Sequence, residues 1–135
     1  MSSGAPTYDG KSVFVQDRFI VGTVAADENL TTTGQAVYVD YDWGVKATTG
    51  STHKIFGVTL TKANSGDKIS VVTRGIVYGT AAGAISAGDM LYAGVGTGRV
   101  VRATAESHYS AGVPYRAIAI SSAAAAGSGV YFALF

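Results

Sequence analysis

The chain has no cysteine among its 135 residues, which excludes disulfides, thiolate metal sites, iron–sulfur clusters and thiol nucleophiles together. Stability has to come from packing or from neighbouring subunits. Charge is scarce as well: 14% of residues are charged, 10 basic against 9 acidic. A nearly neutral surface gives no counterion-release drive toward nucleic acid and no basic face for a membrane. No apolar run approaches the roughly 18 residues of a membrane span. The start, MSSGAPTYDGK, lacks the cationic and then apolar regions of a signal peptide, so synthesis in a cytoplasm is expected. Proline occurs twice and leucine four times.

What is present is a strand-and-turn composition. Alanine (21), glycine (18) and valine (16) dominate, and long helices are improbable because apolar residues nowhere recur at helical spacing without intervening glycine. The expected fold is all-β: a single small barrel- or sandwich-like domain of mostly antiparallel strands over residues 12–135, preceded by a flexible N-terminal arm, residues 1–11, that lacks large aliphatic side chains. SVFVQDRFIVGTV reads as strand, kink and strand. AVYVDYD alternates Val37 and Val39 on one face with Tyr38, Asp40 and Asp42 nearer the other, whereas WGVKATTGSTHK reads as polar connection. Strands flanking Ala63-Asn64-Ser65-Gly66-Asp67 give the clearest hairpin, with a bulge expected at Gly75. The last segment repeats that design: AIAISSAAAAGSGVYFAL aligns loosely with GVTLTKANSGDKISVVT, with a one-residue slip at the turn. Ala81 to Ala87 is the one place for a short helical turn.

No constellation nominates catalysis. The Ser-x-x-Lys matches at Ser51 and Ser65 fall in turn-rich stretches, where the helical turn that brings amine to hydroxyl is missing. Gly127-Ser128-Gly129 precedes a strand, whereas a nucleophile elbow precedes a helix. Asp40-Tyr41-Asp42-Trp43-Gly44 opens like a calcium loop but has no acidic residue at the closing distance. His53 and His108 lack ligand-spaced neighbours and read as surface histidines. The Asn29-Leu30-Thr31 sequon has no secretory route to serve it. No enzyme, cofactor, metal or small-molecule substrate is therefore expected. Tyr38, Tyr41 and Trp43 cluster around one strand, suited to a subunit interface or to stacking on sugar rings.

Residues 55–135 carry GVTLTKANSGDKISVVTRGIV, then AISAGDMLYAG with GRVVRATA, then RAIAISSAAAAGSGVYFALF. This order resembles the small capsid decoration (cement) proteins of tailed bacteriophages. Residues 12–54 depart from the resemblance and read as an added strand pair or a capsid-contacting elaboration. The resemblance implies a structural virion protein on the outer surface of an assembled capsid, made in the host cytoplasm. Its partner is then the major coat protein, commonly engaged as a homotrimer, with no nucleic acid or membrane involved. The arm residues Ser2, Ser3, Gly4, Ala5, Pro6, Thr7 and Tyr8 would then grip the coat by adding backbone to an exposed strand edge. Val130 to Phe135 reads as an apolar strand whose edge a closed cyclic interface would cover. The alternative is a glycan- or cell-surface-binding module of a head fibre or tail. On composition alone, far-ultraviolet circular dichroism of the purified chain should show a single β-type minimum with less than about 15% helix; helical double minima would refute the fold class.

Overall fold

Alternating β-branched residues broken by glycine turns give nine strands and no helix among the described residues of the computed structural model, which are 20–50, 52–103 and 117–135. The strands are β1 (Ile20–Ala26), β2 (Ala36–Tyr41), β3 (Gly44–Ala47), β4 (Gly57–Thr59), β5 (Lys68–Thr80), β6 (Met90–Ala93), β7 (Val100–Arg102), β8 (Ala117–Ala119) and β9 (Gly129–Leu134). The arm at residues 1–11 lies outside the described residues, as does the SVFVQDRF stretch before β1. No helical turn forms between Ala81 and Ala87; Ile85 instead makes an antiparallel bridge to Ala123.

Two barrel-like lobes are built on one strand. In the first, hydrogen bonding runs β1-β3-β2-β4-β5 and returns from β5 to β1, closing a five-stranded barrel. All of these pairings are antiparallel except β1 with β3. In the second, the distal part of β5 pairs β9, and β9-β8-β6-β7 follow. A parallel bridge from Ala81 to Val100 brings β7 back to the end of β5. The second lobe thus repeats the first, with residues 75–81 standing where β1 stands and β6, β7, β8 and β9 standing for β2, β3, β4 and the first half of β5.

Matched hydrogen bonds carry the repeat. Leu30 and Ala63 exchange backbone bonds at 2.8 and 3.0 Å, as Ile85 and Ala123 do at 2.9 and 2.8 Å. Asp27 donates to Val45 at 2.9 Å, as Ala82 does to Val100 at 2.7 Å. The Gly34 amide bonds the Thr59 carbonyl and the Gly88 amide bonds the Ala119 carbonyl, both at 2.8 Å. Turn glycines at positive φ correspond as well: Gly34 (79°) with Gly88 (93°), and Gly66 (91°) with Gly127 (90°). The expected likeness between GVTLTKANSGDKISVVT and AIAISSAAAAGSGVYFAL, including the slip at the turn, is therefore one half of a full structural repeat. Residues 20–54 are the matching part of the first lobe, not an elaboration added to a barrel.

Each lobe fills its interior with its own apolar set. Val24, Ala26, Leu30, Val37, Val45, Ile69 and Val71 pack together in the first lobe. Leu91, Val100, Val130, Phe132 and Leu134 belong to the second, and this cluster extends to Ala36, Val58 and Val72 of the first lobe. Those three are neighbours across β2, β4 and β5, so one outward-facing row of the first lobe is buried by the second. Gly75 marks the changeover: β5 pairs β1 up to Arg74 and β9 from Gly75 onward, with the register slip against β1 falling next to Thr73. At φ 133° a side chain there would be strained.

The terminal strand is not an edge. β9 is hydrogen-bonded on both sides, to β5 and to β8, with Val130, Phe132 and Leu134 buried. The reading of Val130 to Phe135 as an open edge is corrected accordingly, because pairing with β5 on one side and β8 on the other leaves that strand no free ladder. Phe132, 1% exposed and lying against Gly79 of β5, should cost about 3–5 kcal/mol when truncated in Phe132→Ala. Because β5 belongs to both lobes, calorimetry of that variant should show one lowered transition in which both lobes melt together.

Candidate functional site

β2 is longer than the barrel it serves, and its far end therefore stands in water. Val37 is fully buried, but Val39 is 50%, Tyr41 62% and Trp43 77% exposed. The period-2 reading that buried Val39 with Val37 fails at this point because the strand has passed the end of the core. The hairpin tip Tyr41-Asp42-Trp43-Gly44 is held down by a 2.7 Å bond from the Ala25 amide to the Trp43 carbonyl. Trp43 has φ 59°, a left-handed conformation costing a non-glycine residue about 1–2 kcal/mol. Its counterpart in the second lobe is Gly98, at φ 67°. Gly44 follows because a Cβ there would run into the Asp27 carboxylate.

Asp27, Asp40 and Tyr41 meet beneath this tip. The carboxyl of Asp27 is held above its ordinary value, first by sharing a hydrogen bond with the Asp40 carboxyl and then by burial, while the Tyr41 hydroxyl and Lys46 oppose the shift. The Tyr41 hydroxyl is pushed up in turn by its bond to Asp27. This arrangement ties the tip to β1; it supplies no nucleophile and no third metal ligand. Glu28 beside it is structural, its carboxylate accepting the Ala47 amide at 2.8 Å.

Tyr38 goes elsewhere. Its ring stacks on His53 with centroids 3.8 Å apart and planes 10° from parallel. The two line an open cleft of about 460 Å³ with Val39, Thr52, Lys54, Ile55 and Phe56. His53 was expected as a plain surface residue; it organises the loop after β3, its Nδ1 accepting the Thr49 amide at 3.1 Å. Trp43 lines a second cleft of about 320 Å³ with Thr23, Val24, Ala25 and Lys68. The strand pleat thus separates aromatics that are close in sequence. One face of the Tyr38 ring is already covered by imidazole, which leaves Trp43 as the member of the trio with the freest surface for a partner.

Ser2, Ser3, Gly4, Ala5, Pro6, Thr7 and Tyr8 lie outside the described residues, as does Ser51 of the first Ser-x-x-Lys match. Ser65 of the second sits in the hairpin turn, its amide donating to Asn29 Oδ1 at 2.8 Å. That bond also gives the sequon asparagine a structural task. Sequence reasoning missed the Thr23–Lys68 cleft, whose residues come from three separate segments with no common spacing. For Asp27 the sign is that of a carboxyl raised on folding. Its contribution is present at low pH and lost as pH rises through the raised value. Asp40→Asn removes the leading cause, so its thermal midpoint should exceed the wild type's at neutral pH and converge with it in acid, read by thermal melts across that range.

Comparison with known proteins adds a family and a fold. A family model described as phage cement protein matches residues 15–134. The fold is similar to that of the head fiber gp8.5 N base of bacteriophage phi29, with a TM-score of 0.62, 18% identity, and coverage of 87% of this chain and 95% of that one. At that identity the likeness is one of fold alone. A search of curated proteins finds no match.

Proposed function

The chain belongs to the phage cement protein family, and from that premise we propose that it attaches to the outer surface of an assembled capsid, binds the major coat protein there and stabilises the shell. The family match over residues 15–134 carries the reading. The physical features agree with it: the first lobe is a closed barrel and the second returns on itself through the Ala81–Val100 bridge, so the described strands leave few free ladders to mispair, and little charge directs the chain to nucleic acid or membrane. Binding surface repeated over a lattice gains by multiplicity what each site lacks in strength. Synthesis takes place in the host cytoplasm and the working location is the virion exterior. No catalytic step, cofactor or small-molecule substrate enters this reading.

The arm Ser2 to Tyr8 and the exposed aromatics Tyr41 and Trp43 are the proposed coat contacts, with Tyr38 supporting the tip region through His53. A homotrimer is proposed on the exposed apolar residues Val39, Ile118, Ile120 and Phe135 rather than on an open terminal edge. A fibre- or tail-borne glycan-binding module is the second reading, favoured by the freely exposed Trp43 indole and the fold shared with a head fiber base. Purified protein should co-sediment with expanded, decoration-free capsids and raise their thermal disruption temperature. Deleting Met1 to Asp9 should weaken that binding at least about tenfold, or about 1.4 kcal/mol, and leave the protein's own midpoint within a few degrees. Binding to a glycan array without capsids, together with failure to co-sediment, would favour the second reading.

A further inference from the structure

The repeat says where a lobe is covered by another lobe, and on one side the described residues supply no such covering lobe. Within the chain, Gly34, Gln35 and Ala36 of the first lobe are received by the second. A Cβ on Gly34 would lie 2.6 Å from the Tyr78 carbonyl oxygen, and one on Gly98 would lie 2.6 Å from the Gln35 Cβ. The Ala36 amide donates to the Gly98 carbonyl at 3.0 Å, and the Gly98 amide donates to Thr48 at 2.8 Å. The row Ala36, Val58, Val72 disappears into the second lobe's core.

The second lobe carries the same surface, and none of the described residues is seated on it as the second lobe is on the first. Gly88 corresponds to Gly34, Asp89 to Gln35 and Met90 to Ala36, and a Cβ on Gly88 would meet nothing within 4 Å. The outward row here is Met90, Ile118 and Ala133, adjacent through the β6–β8 and β8–β9 pairings. Ile118 is 37% and the following Ile120 48% exposed. The receiving surface is duplicated as well. Tyr78, Gly79 and Gly98, which hold Gly34 to Ala36, correspond to Thr23, Val24 and Trp43 of the first lobe. Those three line the second cleft, with Ala25 and Lys68.

We propose that this chain self-associates head to tail, with the Gly88-Asp89-Met90 corner of one copy seated in the Thr23–Val24–Trp43 cleft of the next, continuing between chains the contact the two lobes make within one. The occupant is a second copy because the corner and the cleft are repeat-equivalents of two surfaces already in contact inside this chain. Charge agrees, since Lys68 in the cleft meets Asp89 on the corner. Side-chain size agrees too. Gly98 leaves no room for a Cβ, so an indole at the equivalent position holds the copies further apart than the lobes. Met90 and Ile118 are larger than the Ala36 and Val58 they replace, which outweighs the smaller Ala133 in place of Val72, and the row gains net volume to fill the wider gap. A contact between two different surfaces closes into a ring when the rotation allows it. The copy number of three rests on the homotrimer reading; the contact itself does not.

The absence of native cysteine makes cross-linking clean. Two single variants, Trp43→Cys and Met90→Cys, are oxidised alone and as an equal mixture, with Asn64→Cys replacing Trp43→Cys in a control mixture. Asn64 is exposed in the hairpin turn of the first lobe and is not among the residues that line the cleft. The first mixture should give a disulfide-linked pair at least tenfold above the control mixture, with neither single variant linking to itself. Adding Lys68→Glu to the Trp43→Cys chain should reduce that yield severalfold. Pairs no more abundant than in the control mixture, or self-linking by either single variant, would overturn head-to-tail contact. Trp43→Gly, which suits the left-handed backbone, should fold with an unchanged circular dichroism spectrum and sediment as the smaller species; wild-type oligomers persisting in it would also count against the cleft. With both cysteines in one chain, the mass of the closed product separately reports the copy number. A ladder without a three-chain end point would reject the trimer and leave the contact standing.

Discussion

β5 has to serve as the last strand of one barrel and the first of another, and most other features of the molecule answer to that requirement. A strand of 13 residues is long for a small sheet, and it is bonded to β1 and β4 along its first part and to β9 along its second. Sharing the strand fixes the distance between the lobes. Whatever lies at the junction must then be small or planar. Gly34, Gly79 and Gly98 meet there, and a Cβ at any of them would come within about 3 Å of a neighbouring atom. Gly75 takes up the change of direction without a side chain to strain. The same sharing buries the outer row of the first lobe, so Ala36, Val58 and Val72 are core residues although they lie outside the barrel whose strands they form.

How much of this the sequence discloses depends on where the physics is local. The hairpin around Gly66 is legible because turn and strand signals sit within 17 residues of one another, and the same local pattern around Gly127 makes half of the repeat visible. The other half is not. AADENLTTTGQAVYV and AAGAISAGDMLYA share few side chains; what they share is a set of backbone bonds, such as Leu30 with Ala63 and Ile85 with Ala123, which tolerate nearly any residue. β3 was hidden for a related reason. Gly44–Ala47 lies in a stretch of polar and turn residues, and it is a strand because β1 and β2 flank it on either side, a tertiary cause overriding local preference.

The candidate site shows the same division. Tyr38, Tyr41 and Trp43 are conspicuous as aromatics in a chain with few charges. Alternation along a strand sends neighbours to different faces, however, and the position of the barrel end decides which of them emerge. Neither can be read from spacing alone. His53 gained a role only because the loop after β3 folds back beneath Tyr38. The cleft at Trp43 draws on β1, the β2–β3 tip and the start of β5, with 18 positions from Ala25 to Trp43 and 25 from Trp43 to Lys68.

Trp43 shows how a repeat can assign different work to one backbone position. The left-handed turn before β3 and before β7 is required by the fold in both lobes, and glycine is the residue that adopts it without strain. At Gly98 the requirement is doubled, because the lobe ahead leaves no space for a side chain. At Trp43 no lobe of the same chain stands ahead, so the steric half of the requirement lapses and the conformational half remains. A tryptophan there accepts a cost of about 1–2 kcal/mol and places a large aromatic surface in water, a loss twice over for an isolated chain. Burying an aromatic of that size in a contact recovers more than the backbone term at about 25 cal/mol per Å² over some 150–250 Å². The residue is therefore intelligible as part of a surface that is completed from outside the chain.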